Sequence, residues 1–221
     1  MKDSRKFWDR MAAGYDSQSG ERFADAYRST IARAQSYLKP GDTLLDFACG
    51  TGLTTLPLSG CVAVVHAIDQ SPEMVSIATQ KAVAQGVENI HFMTGSLYDE
   101  RLLPGAYDAL TAFNVLYFLR DLPAVLERIF TLLKPGGIFL SATDCLGDSH
   151  SPLLVLQDLL CRVGVFPYMR RLRGAGLQAE IAAHFTILET ENLPATPRSL
   201  FIAARRTRGN GRNHLIAGER D

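Results

Sequence analysis

The stretch TLLDFACGTG, residues 43–52, runs a branched apolar segment into Asp46 and then into a loop of small residues. Such an acid can hold the loop or hold a ligand, and the loop alone also fits an ordinary tight turn. The next strand-like run, CVAVVHAID, is dense in valine and ends on Asp69, 19 positions after Gly50. In a doubly wound parallel sheet a glycine loop after the first strand lets backbone approach a ligand, and the following helix N-terminus faces the same crevice. An acid ending the second strand can accept both hydroxyls of a ribose. Strand, loop, helix, strand and acid in that order point to a nucleoside-bearing ligand.

Outward from this stretch, strand and helix patterns alternate. SPEMVSIATQKAVAQG reads as a helix with Ser71 as N-cap and Pro72 first, where its missing N–H costs nothing. Met74, Ile77, Ala78 and Ala82 form its buried stripe. NIHFMTG and YDALTAFNVLYF read as the third and fourth strands, LPAVLERIFTLLKPGG as a helix closed at Pro135-Gly136-Gly137, and IFLSATD as the fifth strand. SPLLVLQDLLCRVG is predicted helical, and FTILETEN and SLFIAARR close the chain as strands. This alternation implies a mostly parallel sheet covered by helices on both faces.

The 221 residues predict one domain, 1–206, with a helical segment over 1–35 and a flexible tail over 207–221. With 23 basic against 23 acidic residues, the chain lacks the charge signature of nucleic-acid binding. No apolar run approaches the roughly 20 residues of a membrane span. The charged N-terminus and four cysteines without a CxxC pair fit reduced thiols and a cytoplasmic location. Monomer and homodimer both stay open, and no metal site is expected.

The identity of the nucleoside ligand follows from two departures. GTGLTT places Thr55 where the dinucleotide pattern GxGxxG needs its third glycine. Asp46 beside a phosphate cradle would repel a pyrophosphate. An acid suits a ligand carrying an ammonium and a sulfonium, which describes S-adenosylmethionine.

The motifs LLDFACGTG, AIDQSPEM, YDALTAFNVLYFL and LLKPGGIFLSATD, in this order, resemble those of class I S-adenosylmethionine-dependent methyltransferases. The resemblance is to the small-molecule branch containing ubiquinone/menaquinone-biosynthesis methyltransferases, and it runs from about Phe7 to Arg205. It implies a Rossmann-like α/β fold with a seven-stranded, mostly parallel sheet and an antiparallel last strand. It implies that Asp46, Ala48, Cys49, Gly50 and Gly52 surround the methionine portion of the cofactor. Asp69 would hold the ribose, with Gln70 and Met74 near the adenosine and Ser96 and Leu97 by the adenine. Asn114 would line the methyl-transfer mouth with Leu116 and Tyr117. KFWDRMAAGYD resembles the lead-in segment whose aromatic residue and Tyr-Asp pair fold over the cofactor. Ala48 replaces the first loop glycine, which requires a negative φ there.

Methyl transfer needs alignment and a dry pocket more than a dedicated base. Tyr15 and Tyr117 are candidate catalytic residues, as aromatic walls for the sulfonium, and His150 is the candidate facing the acceptor. A surface-loop histidine is the competing reading for His150. Arg162, Arg170, Arg171 and Arg173 form a locally basic stretch that could meet an anionic acceptor or be a solvated face. A cofactor-binding protein without turnover and a nicotinamide-dependent oxidoreductase are the alternatives, the latter opposed by Asp46 and Thr55. The small-molecule acceptor itself is open.

Overall fold

A computed structural model describes residues 4–149, 153–193, 196 and 198–207. The chain opens with α1 (Ser4–Tyr15), a π-helical turn (Asp16–Glu21) and α2 (Ala24–Gln35). The alternating body follows as β1 (Thr43–Phe47), α3 (Thr55–Ser59), β2 (Val64–Asp69), α4 (Pro72–Ala84), β3 (Ile90–Thr94) and β4 (Tyr107–Phe113). It continues with α5 (Leu122–Leu132), β5 (Leu133–Asp144), α6 (Leu153–Arg162), α7 (Gly174–Ala182), β6 (Thr186–Asn192) and β7 (Ser199–Arg205).

The seven strands lie in the order β3-β2-β1-β4-β5-β7-β6, and β7 runs antiparallel to both of its neighbours. The order reverses direction between β1 and β4, so their carboxyl ends open a crevice there. Successive residues of β1 point to opposite faces: Leu44 belongs to the buried cluster that also holds Leu58, Val65 and Phe201, and Leu45 to the one that holds Ile68, Leu126 and Phe139. Both faces are buried, which explains why these strands read as continuous apolar runs.

The Ser71 cap forms as the sequence predicts, and Asp121 adds a second one. Ser71 Oγ accepts the Met74 N–H at 3.2 Å with Pro72 following it, and Asp121 accepts the Ala124 N–H at 3.1 Å. Two boundaries differ, and one helix is new. α5 stops at Leu132, and Leu133–Gly137 already belong to β5, because Pro135 disfavours helical backbone at the residue before it. β4 ends at Phe113, and Leu116–Phe118 turn into a short 3-10 helix. α7 is a helix absent from the sequence reading, since GAGLQAEIA carries two glycines in its first turn and buries only Leu177 and Ile181. The tail from residue 208 onward lies outside the described residues.

Candidate functional site: the cleft at the end of the first strands

After β1 the backbone turns through Ala48, Gly50 and Gly52 at φ of +60°, +54° and +79°. The negative φ required of Ala48 is therefore corrected. The N–H groups of Ala48 and Cys49 both donate to the Ile68 carbonyl, at 2.8 and 3.2 Å, and this clamp holds alanine in the left-handed region. Such a residue costs about 1–3 kcal/mol, strain of the kind that gathers at functional sites. Gly50 has open space where a Cβ would stand. A Cβ on Gly52 would come within 3.3 Å of the Ala78 Cβ, so that glycine lets the loop pack on α4 and stands off the cleft wall.

Asp46 lies beneath this loop, 1% exposed. One carboxylate oxygen accepts from the Thr55 hydroxyl at 2.5 Å and the other from the Thr111 hydroxyl at 2.7 Å. Burial pushes its carboxyl up to about 6, against the two hydroxyls that favour the charge. Asp46 does not line the cleft; its side chain joins the start of α3 to β4 through Thr55 and Thr111 and so holds the turn. Cys49 is likewise buried off the cleft, and burial, followed by the charges of Asp46 and Asp69, pushes its thiol well up.

Asp69 closes β2 on the cleft wall. One oxygen accepts the Gly50 N–H at 3.0 Å and the other the Ser71 N–H at 2.9 Å. Burial raises its carboxyl and these backbone donors pull it back down. The Gln70 N–H also favours the charged carboxyl, and with about four acceptor positions in all Asp69 keeps capacity for a further donor.

The cleft encloses about 620 Å³. Of the residues expected in it, Tyr15, Ala48, Gly50, Asp69, Gln70, Met74, Ser96, Leu97 and Asn114 line it together. Asp99, the acid nearest the third strand's end, is committed to Arg101, whose guanidinium holds its carboxyl down at about 2. Ser96 is left as the polar side chain at that place, its hydroxyl accepting the Tyr98 N–H at 3.2 Å.

The N-terminal segment folds across this opening. Ser4 reaches Gln70 at 3.2 Å, Ser71 donates to Asp9 at 2.6 Å, and Thr51 donates to Asp16 at 2.5 Å. Trp8 sits edge-on against Phe118, with ring centroids 5.1 Å apart, and both face the cleft. The Tyr15 and Tyr27 hydroxyls lie 3.4 Å apart, and Tyr27 is hydrogen-bonded to the Asn114 side chain, where φ is +54°. Burial raises both tyrosines, so each stays a protonated phenol at neutral pH.

Tyr117 and Leu116 do not line the cleft. Leu116 is fully buried in the core, and the 3-10 turn presents Phe118 to the cleft instead. Burial raises Tyr117 as well. His150 lies outside the described residues. The basic stretch is partly neutralised: Arg170 pairs with Glu180 at 2.6 Å and Arg171 with Asp158 at 2.6 Å. Sequence reasoning missed Trp8, Tyr27, Phe118, Arg120 and Tyr168. The aromatics of α1 were the visible signal for Trp8, whereas Arg120 and Tyr168 meet only through the fold. No group of His, Cys, Asp and Glu that could hold a metal occurs among the described residues.

Residues 44–137 match a family described as a methyltransferase domain. A demethylmenaquinone methyltransferase of Symbiobacterium thermophilum is 29% identical over 144 residues, 62% of this chain and 57% of that protein. A ubiquinone biosynthesis O-methyltransferase of Xanthomonas campestris pv. campestris is 36% identical over 126 residues, 56% of this chain and 52% of that protein. The chain thus matches about half the length of these curated relatives. Among solved structures, the [4+2]-cyclase SpnF superposes with a TM-score of 0.74 at 18% identity, over 93% of this chain and 95% of that one. The DhpI–SAH complex gives 0.71 at 22% identity, over 92% and 95%. These two likenesses carry the fold alone. With the motif order, the loop and acid at the switch point and these relatives in agreement, the chain carries a methyltransferase domain match over residues 44–137 and is similar to class I S-adenosylmethionine-dependent methyltransferases.

Proposed function

We propose that the protein moves a methyl group from S-adenosylmethionine to a small-molecule acceptor by direct displacement. The observation that carries this reading is Asp69: a cleft-facing acid at the end of β2 that braces the Gly50 loop and the start of α4 while keeping acceptor capacity for ribose hydroxyls. A cleft of about 620 Å³ falls in the range of small-molecule and cofactor sites. When bound, the cofactor supplies an electrophilic methyl on a positive sulfur. Ala48 and Gly50 would lie along its methionine portion, Gln70 and Met74 beside the adenosine, and Ser96 and Leu97 by the adenine.

The chain contributes alignment and exclusion of water. Trp8, Tyr15 and Phe118 offer aromatic faces that suit a cation. Tyr27 would steer Tyr15 and Asn114 at the mouth. No histidine lines the cleft among the described residues, and the phenols stay protonated, so these side chains would orient the acceptor rather than take its proton. An anionic small molecule is the favoured acceptor class. The four cysteines are free thiols, in keeping with a cytoplasmic setting. Calorimetry with S-adenosylmethionine and with NAD, followed by detection of S-adenosylhomocysteine over an acceptor panel, tests the reading. NAD binding without S-adenosylmethionine binding would overturn it, and binding without product over the whole panel would favour a binder without turnover.

A further inference from the structure

A second, more open chamber of about 1690 Å³ adjoins the cleft. The two share Ser4, Arg120, Pro167 and Tyr168 in their linings. The inner cleft is walled largely by apolar and aromatic side chains, whereas the outer one gathers Lys6, Arg10, Arg120, Arg162, Arg170 and Arg171. Its two carboxylates are engaged, Asp158 by Arg171 at 2.6 Å and Asp9 by the Ser71 hydroxyl at 2.6 Å. Arg170 is held by Glu180. Lys6, Arg10, Arg120 and Arg162 form no ion pair among the described residues, so the chamber carries surplus positive charge on a protein whose formal net charge is zero. A concave wall of one sign focuses its field on what enters.

Arg120 stands where the chambers meet, its guanidinium carbon 4.2 Å from the centroid of the Tyr168 ring. Stacking occupies a face of the planar group and leaves its in-plane N–H donors for a carboxylate or phosphate. The ring also limits the side chain's freedom before any ligand arrives, so less entropy is lost on binding.

We propose that the acceptor is bipartite. Its apolar reacting end enters the inner cleft past Pro167 and Tyr168, and an anionic group stays in the outer chamber, bound first by Arg120 and then by Arg162. This rests on the methyl-transfer reading of the inner cleft and adds a subsite to it.

The test uses the full chain saturated with S-adenosylhomocysteine and titrated in a calorimeter with benzoate, phenyl phosphate and the neutral methyl benzoate. At least one anion should bind ten or more times tighter than the ester, with an affinity that falls as salt rises. The tighter of the two anions tells carboxylate from phosphate. Arg120→Gln should remove most of that preference and Arg120→Gln with Arg162→Gln all of it, in variants whose melting temperatures show them folded. Equal binding of acids and ester, a preference that survives the double substitution, or no binding of any probe at millimolar concentration would overturn the subsite. Failure to bind S-adenosylhomocysteine would instead count against the methyl-transfer reading, and the same three titrations on the free protein would still decide the anion site.

Discussion

The Thr51 hydroxyl donates to a carboxylate oxygen of Asp16 at 2.5 Å, and the other oxygen of Asp16 takes the Lys81 ammonium at 2.7 Å. One acid thus ties the N-terminal segment to both the glycine loop and α4. Its position directly after α1, at the start of the π-helical turn, makes it the anchor of the segment that crosses the cleft. Asp16→Asn and Thr51→Val should each weaken S-adenosylhomocysteine binding by about three- to tenfold, the roughly 0.5–1.5 kcal/mol net worth of one partly exposed hydrogen bond. The melting temperature without ligand should move little. Calorimetry beside thermal melts checks this, and unchanged affinity in both variants would mean the segment packs without closing over the cofactor.

Asp69 spends an oxygen on each of two backbone N–H groups before any ligand arrives. Asp69→Ala removes those braces together with the expected ribose contacts, and cofactor affinity should fall by at least tenfold, about 1.4 kcal/mol. Asp69→Asn retains one carbonyl acceptor and should fall between the two. A folded Asp69→Ala protein with normal affinity would refute the ribose assignment.

Asp46 makes a prediction about pH. Burial raises its folded carboxyl from 3.8 to about 6, so the folded state holds the proton more tightly than the unfolded chain. Its contribution is full below about pH 4 and is lost as pH rises through about 6, a change of roughly 3 kcal/mol at 1.36 kcal/mol per unit. Asp46→Asn does not titrate there, so its stability relative to the natural chain should rise by about 2–3 kcal/mol between pH of about 4 and 7.5. Urea unfolding at both ends of that window measures it. A difference that does not change with pH would show that Asp46 ionises in the fold as it does in the unfolded chain.

Ala48 holds a left-handed φ of +60° that glycine adopts without strain. Ala48→Gly should stabilise the protein by up to about 1 kcal/mol, the relief of the Cβ clash less the added entropy of the unfolded glycine. A lower midpoint in denaturant would show that the methyl group contributes packing worth more than the strain.

Much of this protein was legible along the chain because the signals are local. Valine-rich runs, the Ser71-Pro72 cap and the spacing from Gly50 to Asp69 each report on neighbours within one strand–loop–helix unit, and together they set the layered sheet and the crevice at its switch point. Side-chain partnership across the sheet is a different matter. Asp46 meets Thr111, 65 residues away, because β1 and β4 pair in a register that sets the two side by side, and register is decided by packing the whole sheet at once. Tyr117 and Phe118 are adjacent aromatics in the sequence, and only the 3-10 turn after β4 chose which one faces the cleft. Arg120 over Tyr168 and Tyr15 against Tyr27 likewise join separate elements. Periodicity determines which face of an element is buried, whereas the neighbour met there depends on long-range docking that no single segment encodes.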